Sequence, residues 1–115
     1  MKGQRGARLA SEFQKEITDI ISRDLRNKVP ELSAIISVTG ADIAPDLKTA
    51  KIYLSIFDPD EQKRQRSFET IKENAGFIRH ELSSRMSIRT VPVLAFILDV
   101  SAEYGTHIDE ILKNL

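Results

Sequence analysis

The stretch Ser67–Met86, SFETIKENAGFIRHELSSRM, constrains the fold more than any other part of the chain. Apolar residues recur at Phe68, Ile71, Ala75, Ile78, Leu82 and Met86, in steps of three and four. At about 100° per residue this spacing lays one apolar stripe along an amphipathic helix. A straight rod fails on two counts. Gly76 stands inside the pattern, where glycine costs roughly 1 kcal/mol against alanine. Phe77 falls nearly opposite the stripe, so an unbroken helix would hold its ring in water. A break near Asn74-Ala75-Gly76 removes both faults, because re-aiming the second segment turns Phe77 inward. The reading is therefore helix, kink, helix; the alternative is one straight helix with a tolerated glycine and an exposed phenylalanine.

The charges of the same region bear on function. From Lys63 to Arg89, seven cations (Lys63, Arg64, Arg66, Lys72, Arg79, Arg85, Arg89) stand against three anions (Glu69, Glu73, Glu81), a local balance of +4. On a helical wheel Lys72, Gly76, Arg79 and Ser83 share a flank beside the apolar stripe. Two cations separated by a residue without a side chain let another molecule's backbone come close, which suits a polyanion. The same charges also describe an ordinary solvated helix face.

The chain has 115 residues, the length of one domain that buries about two thirds of its unfolded surface. With 41% hydrophobic and 30% charged residues it reads as a globular protein, not a disordered one. The formal net charge of zero hides a segregation. Residues 1–28 carry +3 and 63–89 carry +4, whereas 29–62 carry −4 and 90–115 carry −3. A molecule so polarised can present one face to phosphate while the other repels it. Cysteine is absent, which excludes disulfides and thiolate metal sites. The longest apolar run, Val91–Leu98, contains Pro92 and falls far short of the ~20 residues of a membrane span. The N-terminus has no apolar signal core, so the cytoplasm is expected; the chain is separately expected to be a monomer.

Along the chain, residues 1–7 read as a short flexible basic tail. Its Gly3-Gln4-Arg5-Gly6 matches the GxxG of nucleic-acid-binding loops by coincidence, since it precedes any structured element. From about Arg8 to Lys28, Leu9, Phe13, Ile17, Ile20, Ile21 and Leu25 form a clean helical stripe, which Pro30 stops. Arg5 and Arg8 at its start are further candidates for phosphate contact. Residues 33–43 are rich in β-branched types and read as a strand, with a bulge or sharp twist at Gly40. Ala44–Lys48 is a turn with Pro45 pre-set for its first central position. Thr49–Phe57 alternates, with Ala50, Ile52, Leu54 and Ile56 on one side, so the two strands form a hairpin. Arg89–Asp99 is the third strand, with Pro92 near its start or on an edge. Its near-continuous hydrophobicity predicts burial on both faces. Its link to the second strand through helices predicts a parallel pair. Residues 106–115 predict a short terminal helix, with His107 partly buried.

No convergent set of reactive groups is apparent. His80 and His107 lie on separate elements, without metal-ligand spacing. No nucleophile elbow, phosphate-binding loop or dinucleotide fingerprint is present, and Asp58-Pro59-Asp60 is turn chemistry. The chain reads as a binder without cofactor, metal, membrane or small-molecule substrate, and not as an enzyme. The element order is helix, strand, strand, helix-kink-helix, strand. It predicts an α+β, type II KH-like single domain: a three-stranded sheet with helices packed on one face. The Gly-x-x-Gly loop by which KH modules clamp a single strand is replaced by Asn74-Ala75-Gly76.

The chain resembles the ribosome-binding factor A family, bacterial assembly factors of the small ribosomal subunit. The resemblance rests on Asp46-Leu47 followed by Ala50-Lys51-Ile52-Tyr53-Leu54-Ser55, on Gly76-Phe77-Ile78-Arg79, and on Arg89-Thr90-Val91-Pro92 with Phe96 and Asp99. Gly105, Ile108 and Leu112 also fit. Two positions depart from the family pattern. Asn74 stands where the first residue of an Ala-x-Gly kink is expected, and Ser87 where many relatives are basic. The resemblance implies binding to the free small subunit near its decoding-site neck, support of late maturation and of 16S ribosomal RNA processing, and a role in growth in the cold. Lys72, Arg79, Arg85 and Arg89 are the expected phosphate contacts, with Arg64 and Arg66 secondary. Asn74, Ala75 and Gly76 would provide close backbone approach. A generic KH-type RNA-binding protein and a domain that docks an acidic protein surface remain the alternatives.

Overall fold

The structure, a computed structural model, describes residues 2–32 and 34–99, with residues 2–7 by their backbone alone. The terminal helix expected over 106–115, with His107, lies outside them. The elements run α1 (Lys2–Asp19), a π-helical turn (Ile20–Leu25), α2 (Arg26–Lys28), β1 (Ile35–Ile43), β2 (Thr49–Phe57), α3 (Glu61–Glu73), α4 (Ala75–Arg85) and β3 (Val93–Leu98). The helix begins at Lys2, earlier than the start near Arg8 read from the periodicity. Gly3 and Gly6 weaken that first part by about 1 kcal/mol each but, unlike proline, do not terminate it.

The sheet has the order β1-β2-β3, with β1 and β2 antiparallel and β2 and β3 parallel. Ala50, Ile52, Leu54 and Ile56 are buried as the alternation of β2 requires. They meet Phe13, Ile17, Ile20, Ile21 and Leu25 from the N-terminal helical block, and Ile71, Ile78 and Leu82 from α3 and α4, in one core. The register of β1 slips between Val38 and Gly40, which is the bulge expected there. The N–H and C=O of Val38 are taken up by α1, through the Thr18 hydroxyl at 3.4 Å and the Gln14 amide at 3.0 Å. In the hairpin turn the Leu47 N–H donates to the Ala44 carbonyl at 2.8 Å, and Leu47 adopts a left-handed φ of 62°.

β3 corrects one expectation. Leu94 and Phe96 are buried, but Val93 is 54% exposed and Ala95 is exposed too, so the strand is covered on one face only. Its hydrophobicity reflects its short length and edge position, not two covering layers. The strand also starts at Val93, later than Arg89, because Pro92 offers no N–H to the ladder.

The break between α3 and α4 falls at Asn74, whose φ of −103° and ψ of 19° leave the helical region. The straight-rod alternative is thereby excluded. The Asn74 N–H still closes α3 onto the Thr70 and Ile71 carbonyls, both at 3.1 Å, while its own carbonyl accepts from the Ile78 N–H at 3.0 Å. Phe77 turns toward the core and packs against it, as the kink requires.

Candidate nucleic-acid interface

The break is held by its own side chain. Asn74 Nδ2 donates to the Thr70 carbonyl at 2.8 Å, a second donor to the oxygen that the Asn74 N–H already reaches. Asn74 Oδ1 accepts from Lys28 Nζ at 3.0 Å. That ammonium also lies 4.6 Å from the centre of the Phe77 ring, a cation–π distance. A methyl group at position 74 could make neither bond, so the asparagine is an alternative way of fixing the kink.

Ala75 tucks against the core, while Gly76 stands exposed with no atom within 4 Å of where a Cβ would be. Close approach is therefore open at Gly76 and not at Ala75. From Gly76 a groove of ≈ 380 Å³ runs along Arg79, His80 and Ser83 to Arg89 and Thr90. It adjoins a second groove of ≈ 600 Å³, where Arg79 and Arg89 face Leu47 and Lys48 of the β1–β2 turn. Arg79 is fixed there by the Val91 carbonyl, which accepts from its Nε at 3.0 Å and its Nη2 at 2.7 Å. No carboxylate among the described residues pairs with Arg79 or with the exposed Arg89, so within the described part both charges stay uncompensated. Lys72 is exposed on the other side of the break, its Nζ 5.0 Å from the Phe68 ring.

Other expected contacts lie elsewhere. Arg85 points into a carboxylate cluster: its Nη1 is 3.0 Å from Asp19 Oδ2 and 3.6 Å from Glu16 Oε2, and its Nη2 pairs with Asp24. Burial acts to lower its pKa. The hydrogen bond to Asp19 and the charges of Asp24, Asp19 and Glu16 outweigh that effect and hold it above the ordinary arginine value. Arg85 is thus a clamp between α4 and the first helical block and has no charge left for phosphate. Arg64 is likewise engaged, its Nη1 donating to the Asp58 carbonyl where α3 begins. Arg66 is exposed on α3 and Arg8 on α1, and the side chain of Arg5 lies outside the described part. The residue-level reading missed Lys28 and Lys48. The basic balance of residues 1–28 included Lys28, but nothing local showed that it reaches a residue 46 positions away.

Among the described residues no group of His, Asp or Glu could hold a metal ion, and no helix is long and apolar enough to cross a membrane.

Comparison with known proteins adds three findings. Residues 5–112 match the family model described as ribosome-binding factor A. Ribosome-binding factor A of Caldanaerobacter subterraneus subsp. tengcongensis is 42% identical over 111 residues, covering 96% of this chain and 88% of that protein. The Clostridium botulinum (strain Eklund 17B) protein of the same name is 40% identical over 115 residues, covering 100% and 97%. In three dimensions the fold is similar to the crystal structure of ribosome-binding factor A from Thermus thermophilus, with a TM-score of 0.64, 16% identity and coverage of 81% and 93%. It is also similar to a Thermus thermophilus homology model fitted into a cryo-EM map of a 30S complex, with a TM-score of 0.62, 15% identity and coverage of 80% and 92%.

Proposed function

The chain belongs to the ribosome-binding factor A family, and from that premise we propose that it binds the free small ribosomal subunit through ribosomal RNA. By this reading it assists late maturation of the subunit and 16S ribosomal RNA processing, in the cytoplasm, as a monomer and without catalysis of its own. The observation that carries the RNA assignment is the open Gly76 with Arg79 and Arg89, which meet no carboxylate among the described residues, along one groove. Unpaired cations beside exposed helix backbone let a phosphodiester approach closely and release its counterions, the main source of affinity for nucleic acid. Lys72 and Lys48 extend the same charge across the break and onto the hairpin turn. Arg85 has no part in this contact, and Asn74 acts by shaping the break. The name of the fitted Thermus thermophilus complex supports the choice of the small subunit as partner.

The test is sedimentation of the protein with separated ribosomal particles. Enrichment on free small subunits over assembled ribosomes is expected. Equal binding to both, or to neither, overturns the assembly reading, and salt-insensitive binding points to a protein surface.

A further inference from the structure

Leu47 in the β1–β2 turn is 50% exposed, although it is a large apolar side chain. Among the described residues it is also the one non-glycine with a positive φ, 62°. That backbone is unfavourable for a residue with a Cβ, and the side chain is too exposed to offset it by packing. The turn nonetheless holds it in place. The Leu47 N–H donates to the Ala44 carbonyl at 2.8 Å, and the Lys48 N–H to Asp46 Oδ1 at 3.0 Å. The Lys48 carbonyl accepts from the Val93 N–H at 2.9 Å, which ties the turn to the start of β3.

Leu47 lines the ≈ 600 Å³ groove together with half-buried Ile88 and with Lys48, Arg79 and Arg89. Arg79, Arg89, Thr90 and Val91 also line the groove at Gly76, so the two are continuous. A phosphate alone has no use for the apolar wall that Leu47 and Ile88 provide. Its occupant needs a nonpolar face, and the cations beside it require that face to be joined to an anion. An unpaired nucleobase on its phosphodiester chain has both. Bases out of the stack are held against apolar side chains and arginine planes, and Arg79 is fixed at this junction by the Val91 carbonyl.

We propose that the groove at Leu47 holds one unpaired nucleobase of the bound RNA, whose phosphates lie along Gly76 and Arg89. The interface then selects a single-stranded segment, because a base stacked within a duplex cannot enter. The inference rests on the RNA-binding reading above and names the class of RNA it takes.

The experiment compares three probes at equal salt: a single-stranded oligoribonucleotide, the same strand in a blunt duplex, and an abasic strand of equal length. The base-bearing single strand should bind tightest. Leu47→Gly removes the side chain and suits the left-handed backbone, so the thermal midpoint should not fall. Its affinity for the single strand should drop about fivefold, as expected when about half a leucine's burial is lost. The salt slope should be unchanged, since no cation is removed, and so should duplex affinity. Wild-type affinity of L47G for the single strand overturns the proposal, as does an abasic strand that binds as tightly as the base-bearing one. Weakened binding in R89Q with none in L47G removes the base site alone; normal binding in both removes the RNA reading as well.

Discussion

Arg79 directs two of its donors, Nε and Nη2, to a single acceptor, the carbonyl of Val91. The bond fixes the guanidinium at the junction of two grooves and ties α4 to the segment entering β3. Of the five N–H donors of an arginine, three remain for a ligand.

Arg79 therefore acts in both folding and binding, and its variants should separate the two. Arg79→Gln leaves the Val91 carbonyl, on a residue only 5% exposed, without its charged partner. It should cost about 1–3 kcal/mol of stability and lower small-subunit binding at least about tenfold. Arg79→Lys keeps the charge but not the fork. Stability should fall by a similar amount while binding drops only about threefold, read by denaturant unfolding and co-sedimentation. Equal binding losses in the two variants would mean that position, not charge, carries the contact.

Gly76 permits the opposite separation. No atom lies within 4 Å of an added Cβ, and the glycine does not adopt a positive φ. Gly76→Ala should thus stabilise the protein by about 0.4–1 kcal/mol, through the unfolded chain. The methyl group would nevertheless stand where a ligand backbone is proposed to lie, so affinity for the subunit should fall. A more stable variant with unchanged affinity would remove Gly76 from the interface.

The break, the hairpin and the buried face of β2 were legible because each is written in local spacing. A glycine inside a helical stripe, a phenylalanine on its wrong side and a strict alternation need no distant partner to be read. Partnership was not legible. Arg85 and Arg89 are the same residue type four positions apart, yet one is encircled by carboxylates and the other meets none among the described residues. Asp19 and Asp24, five positions apart, would face about 140° away from each other on a regular α-helix. The π-helical turn from Ile20 closes over an extra residue and brings both to Arg85. Nothing in the apolar pattern of residues 8–28 announces that turn, so counting cations overstated the free charge of the site. The exposure of β3 was hidden because its apolar run does not record that the helices cover only one face of the sheet, which leaves every second residue of the strand uncovered.

The Arg85 cluster should contribute to stability and not to binding. Its side chain is 21% exposed and those of the three acidic partners are partly exposed. The loss in Arg85→Met should lie between that of a surface pair and a buried one, about 1–2 kcal/mol. Because the pKa of Arg85 is raised by the charged carboxylates, its contribution holds below the ordinary arginine range wherever those carboxylates are ionised. On the alkaline side it is lost only in stronger alkali. Co-sedimentation with the small subunit should be unchanged at temperatures where the variant stays folded. A binding loss there, beyond what unfolding explains, would return Arg85 to the interface.

Salt dependence distinguishes the two neighbouring arginines most directly. Each cation that displaces counterions from RNA steepens the fall of log affinity with log salt, by about 0.7 for a single strand and 0.9 for a duplex. Arg89 is exposed and meets no carboxylate among the described residues, so Arg89→Gln should flatten the slope by about that amount as well as weaken binding. Lys72→Gln should do the same from the other side of the break. Arg85→Met should leave the slope as it was, because its charge is already neutralised within the protein. The measurement is a titration of subunit or ribosomal RNA binding across a range of salt for each variant. Equal slopes for R85M and R89Q would show that the carboxylate cluster does not withhold Arg85 from the RNA, and the division between clamp and contact would have to be redrawn.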